Sequence, residues 1–110
     1  MKTASFLKNV IFNENKPSIS MLLETEFSKE IQIAFEKEQI MKDHKAPFPI
    51  TVQVLQGSIN FGVNGELKEL QTGDLISLDA NIVHNLSALS QSVVRLTLSK
   101  LDTFQRVKKV

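Results

Sequence analysis

The stretch "HKAPFPITVQVLQG", His44 to Gly57, joins a histidine, two prolines on either side of Phe48, an alternating run and a closing glycine. Within it, Ile50, Val52 and Val54 fall on one face and Thr51, Gln53 and Leu55 on the other. A period of two is the mark of a half-buried strand. Pro47 and Pro49 each remove an amide donor, so the segment ahead of the strand is expected to be irregular or to lie at an edge. His44 thus stands where a strand region begins. It is either a ligand at the rim of a site or an imidazole that merely bonds to nearby backbone or water.

The same alternation extends outward in both directions. Ile31, Ile33 and Phe35 share a face in "IQIAF", Ile59, Phe61 and Val63 in "SINFGV", and Val94, Leu96 and Leu98 in "VVRLTLS". Shorter strands fit "FLKNVIF", "SISMLLET", "LKEL", "LISL" and "HNLSAL". Turn residues separate these runs, and Asn64-Gly65 between two of them is the strongest hairpin signal in the chain. Gly57, Gly65 and Gly73 read as turn residues. Many short strands with regular turns predict an all-β barrel or sandwich. The 110 residues suffice for one domain. Its core barrel is expected over about residues 30–100, with N-terminal strands in 1–29 and a tail in 101–110. In that tail, "LDTFQRVKKV" is read as one or two helical turns or a fraying end, with "RVKKV" solvated. Met21 and Met41 read as core filler. Phe48 fits a core position and an exposed rim position equally.

Composition narrows the chemistry. There is no cysteine, which excludes disulfides, thiolate catalysis and cysteine-held metal clusters. There is no tyrosine to act as acid, base or nucleophile. A net charge of +1 makes no case for nucleic acid or an anionic membrane surface as partner. No apolar stretch approaches the roughly 20 residues of a membrane span, and "MKTASFLKNV" carries no long apolar signal core. The expected compartment is the cytoplasm.

The only two histidines are His44 and His84. With their surroundings they resemble the cupins, whose motifs read G-x5-H-x-H-x3/4-E-x6-G and G-x5-P-x-G-x2-H-x3-N. In the first motif His44 and Gly57 match, while Glu38, Ala46 and Ile50 stand at the opening glycine, the second histidine and the glutamate. In the second, Gly73 and His84 match, while Asp79, Asn81 and Ala88 stand at the proline, the glycine and the asparagine. The motifs are in the family's order, with 15 residues between Gly57 and Gly73.

The resemblance implies a cupin-type jelly-roll β-barrel and a site inside it. Alternation then turns His44, Ala46, Ile50, Val52 and Val54 inward from one segment, and His84, Leu86 and Ala88 from the other. The family's metal rests on three histidines and a glutamate. Here two of those positions are imidazoles and two cannot coordinate. Asp43 should face away from His44, and Asp79 is the one carboxylate near enough in the motif to substitute. The expectation is a degenerate site, holding a divalent ion (Zn, Ni, Mn or Fe) weakly or not at all. What remains is an apolar pocket with two polar anchors, suited to a small molecule. Other expectations are a metal-dependent enzyme of dioxygenase or isomerase type, and a dimeric interaction or sensor domain with a vestigial site. Small cupins are commonly dimers, and this chain has further apolar residues to cover (Phe6, Leu7, Val10, Ile11, Phe12, Met21 and Leu23 among them). N-terminal strands extending one sheet onto a second copy would give a two-fold homodimer.

Overall fold

Alternating strands need two apolar faces turned toward each other, and the chain supplies them as two antiparallel sheets. The computed structural model describes residues 1–110. The strands are β1 (Ser18–Glu24), β2 (Ser28–Phe35), β3 (Ile40–His44), β4 (Ile50–Gln56), β5 (Ser58–Val63), β6 (Glu66–Gln71), β7 (Leu75–Leu78), β8 (His84–Ala88) and β9 (Ser92–Ser99), followed by a short helix α1 (Phe104–Lys108). One sheet runs β1-β2-β9-β4-β7 and the other β3-β8-β5-β6. This is a jelly-roll barrel.

The inward faces are those that the alternation marks. Ile31, Ile33 and Phe35, Ile50, Val52 and Val54, and Val94, Leu96 and Leu98 line the larger sheet. Ile59, Phe61, Leu70, Leu86 and Ala88 meet them from the smaller one. Burial of such side chains, each stabilising by about 1.5–3 kcal/mol, is the main force holding the sheets together. The outward face of β2 is buried as well, which alternation alone does not anticipate. Glu30 there accepts hydrogen bonds from Ser28, Arg95 and Thr97, and Gln32 donates to the Phe6 carbonyl of the N-terminal segment.

Backbone geometry preserves the glycine positions of both motifs even where the glycine is gone. Gly57 and Gly73 have φ of 91° and 96°, and Glu38 and Asn81 sit in the same left-handed region at 76° and 65°. A glutamate there is strained by about 1–2 kcal/mol, a cost the turn between β2 and β3 imposes on whichever residue occupies it. Asn64 and Gly65, at 52° and 78°, form the expected two-residue hairpin turn.

Three expectations are corrected. "FLKNVIF" is not a strand: Asn9 has φ of 56°, and the segment crosses the outside of the larger sheet without joining its ladder. Met21 is 40% exposed, on an edge strand that has no neighbour beyond it. The tail is not solvated throughout. Helix α1, capped by the Thr103 hydroxyl, buries Val107 in the main core, with Phe104 and Val110 packed beside it.

Candidate ligand pocket

Register brings the two histidines together. β3 pairs antiparallel with β8, and His44 lies directly opposite His84. A register shift between Met41 and His44 turns both of these residues to the interior although they are three apart, as a bulge does. Asp43 is left outside, where it accepts a hydrogen bond from Asn85. The imidazole centroids are 4.2 Å apart and tilted by 59°. The far side of His84 stacks on Phe61 at 5.4 Å, nearly parallel at 7°.

Each ring is fixed by its own backbone. Nδ1 of His44 lies 2.6 Å from the Lys42 carbonyl, and Nδ1 of His84 lies 2.9 Å from the Ile82 carbonyl. A carbonyl can only accept, so each Nδ1 carries the proton, and in the neutral ring each Nε2 carries a lone pair. Burial is the chief reason that both pKa values fall below 6.5. In both rings the backbone hydrogen bond is the next largest influence and acts the other way; the charges of His84 and Arg106 on His44, and of Arg106 on His84, add to the fall, and Asp43 opposes it. The rings are therefore neutral at pH 7.

Beside them is a cavity of about 20 Å³, lined by Ile33, Met41, Ala46, Ile50, Val52, Leu86, Leu96, Arg106 and Val107 as well as both histidines. That volume holds about one water. Val54 and Ala88 are buried deeper in the core and do not border it. Sequence reasoning missed Ile33, Met41 and Leu96, and above all Arg106 and Val107. Arg106 holds Asp102 with two bonds of 2.8 Å through Nε and Nη2, and Nη1 donates to the Lys45 carbonyl. The Asp102–Arg106 spacing of four, after which Val107 follows Phe104 by three, is the signal that could have revealed a capped amphipathic turn.

A metal of the kind the cupin motifs imply does not fit this donor set. Ala46 and Ile50 are at two of the four ligand positions, and Asp79 is exposed on its turn. No cluster of three or more histidine or acidic side chains exists anywhere in the chain, and a guanidinium forms part of the wall.

The depressed histidine pKa values make stability depend on pH. The unfolded chain takes up these protons near pH 6.5 and the folded chain only at lower pH. The stabilising contribution is therefore complete above pH 6.5 and is lost as pH falls through the folded values. Urea midpoints should decline between pH 7.5 and 5, and a variant with both His44→Gln and His84→Gln should lose most of that slope. An unchanged slope would assign the dependence to other groups.

The architecture and the opposed histidines define the class: the chain has the cupin fold. No protein-family model and no curated protein matches the sequence. Solved structures do match it in shape. An RmlC-like cupin from Desulfovibrio desulfuricans superposes with a TM-score of 0.81 at 20% identity, over 90% of this chain and 96% of that one. A conserved protein of unknown function from Streptococcus pyogenes gives 0.77 at 20% identity, over 93% and 90%. KdgF from a Halomonas species gives 0.69 at 20% identity, over 78% and 82%. At such identities the likeness is one of fold. No helix is long and apolar enough to cross a membrane.

Proposed function

We propose that this cupin domain binds a small, largely apolar molecule carrying a hydrogen-bond donor, such as an alcohol, without a resident catalytic metal. The observation that carries this reading is the pair of neutral imidazoles. Their Nδ1 atoms are engaged by backbone, which leaves two acceptors beside a wall that is otherwise almost entirely aliphatic. Isolated polar anchors in an apolar enclosure orient a ligand and select for its donor group. A divalent ion with two imidazoles and water for ligands would be held weakly.

Nitrogen NMR of the histidine rings tests this directly. Cyclohexanol in the millimolar range should shift Nε2 of both rings, and His44→Ala or His84→Ala should reduce the effect at least fivefold. Zn²⁺, Ni²⁺ and Mn²⁺ should bind with micromolar or weaker affinity. Stoichiometric metal that survives a chelator would restore the metal-dependent enzyme reading, and rings unmoved by any alcohol would reject the binding reading.

The smallness of the cavity favours a second reading, an interaction domain that works as a homodimer. Leu7, Ile11 and Met21 are exposed on the N-terminal side, and a second copy covering them would bury that apolar surface. Sedimentation at micromolar concentration should give a two-fold species. A clean 12.4 kDa monomer would exclude it.

A further inference from the structure

One wall of the cavity is helix, not sheet, and that helix is joined to the barrel by side-chain packing and a single hydrogen bond. Helix α1 has five residues, far fewer than a helix needs to persist by itself. Its place depends on Val107, which is 2% exposed in the core, on Phe104 and Val110 packed beside it, and on Arg106. The loop before it is anchored: Lys29 donates to the carbonyls of Lys100 and Asp102. Beyond Asp102, one hydrogen bond crosses from the helix to the barrel, from Arg106 to Lys45 at 3.2 Å.

Outside the cavity is a groove of about 250 Å³ whose wall includes Lys16, Ile19, Ile40, Met41, Lys108 and Val110. Met41 borders both the groove and the inner cavity, while Lys108 and Val110 belong to the same terminal segment as Val107. Lifting this segment withdraws Val107 from the core and removes one side of the groove.

We propose that α1 is a lid on the histidine pocket. It turns about the anchored Ser99–Asp102 loop, and its opening joins groove and cavity around Met41. The two spaces, about 20 and 250 Å³ before the room left by Val107 is added, together approach the lower end of the range of about 300–1,000 Å³ typical of small-molecule sites. The apolar body of the ligand takes the place of Val107, and its donor group reaches the imidazoles. This rests on the reading of the pocket as a binding site. It adds that binding and closure of α1 exclude each other, so the affinity observed is reduced by the fraction of time the lid is shut.

Trypsin provides a test on the intact chain, because Arg106 is a cleavage site inside the lid. Cleavage after Arg106 should proceed at a rate independent of urea at low concentration, as local opening does. Val107→Ala should raise that rate at least tenfold. Arg106→Lys keeps the cleavage site but loses the forked contact with Asp102, and should raise it several-fold without emptying the core. Saturating cyclohexanol should accelerate cleavage in the wild type, because it occupies the open state. A rate that climbs with urea from the outset, with the slope of global unfolding, in wild type and both variants overturns the lid. Local cleavage with histidine nitrogens unmoved by cyclohexanol, even in Val107→Ala, supports the motion and overturns the binding reading instead.

Discussion

Gly57→Ala is expected to destabilise the protein by about 2–6 kcal/mol, a large fraction of the 5–15 kcal/mol available to a domain of this size. Two separate effects add. The backbone at Gly57 has φ of 91°, where any residue with a Cβ is strained by about 1–3 kcal/mol. The new Cβ would also lie within 2.5 Å of the Gln91 carbonyl and 2.8 Å of the Ser92 Cα, and such crowding costs about 1–3 kcal/mol more. The Ser92 hydroxyl cannot move aside freely, since it accepts from the Ser58 amide and lies within bonding distance of the Ser58 and Ser90 carbonyls. Gly65 is the control. Its φ is 78°, but nothing lies within 4 Å of an added Cβ, so Gly65→Ala should cost the backbone strain alone, about 1–3 kcal/mol. Equal urea midpoints for the two variants would show that crowding at the β4–β5 turn has no effect.

Phe61→Ala should cost about 3–5 kcal/mol and should also change the chemistry of the site. Phe61 is fully buried, so its removal forfeits transfer energy and leaves a cavity. It is also the surface on which His84 lies flat. Burial is the first cause of the depressed His84 pKa. Water admitted beside the ring should therefore move that pKa back toward 6.5. Phe61→Leu should lose less stability and shift the histidine less. NMR titration of the two rings distinguishes the effects: a His84 value unchanged in Phe61→Ala would mean that the aromatic ring packs the core without shielding the imidazole.

The strands were legible because alternation is a local property that the fold leaves intact. Ile50, Val52 and Val54 point inward, and Asn64-Gly65 turns the chain, as their residue types require. The pairing of His44 with His84 was legible through motif spacing, since an antiparallel register sets both on one line. What could not be read depends on neighbours distant in sequence. Nothing local to "FLKNVIF" shows that both edges of the larger sheet are formed by other strands and that the segment must cross its outer face. Nothing local to Met41 reveals the bulge that seats it beside His44. Arg106 looked like part of a basic end because its partner Asp102 is buried only once the tail folds back. The cavity's size was also hidden, because Val107 fills space that the strands alone leave open.

The order of strands in the larger sheet has a consequence for how the protein is made. β9 lies at its centre, between β2 and β4, yet it follows every other strand in the chain. Its ladder to β2 joins Ser28 to Ser99. During synthesis, β1 can pair with β2 and β4 with β7, but each pair presents an open, apolar edge until β9 leaves the ribosome. Unpaired edges of that kind join readily to other chains. A ribosome that stalls after Leu78 but before Ser92 therefore leaves behind a fragment with two adhesive edges, and the larger sheet is sealed in a single late step.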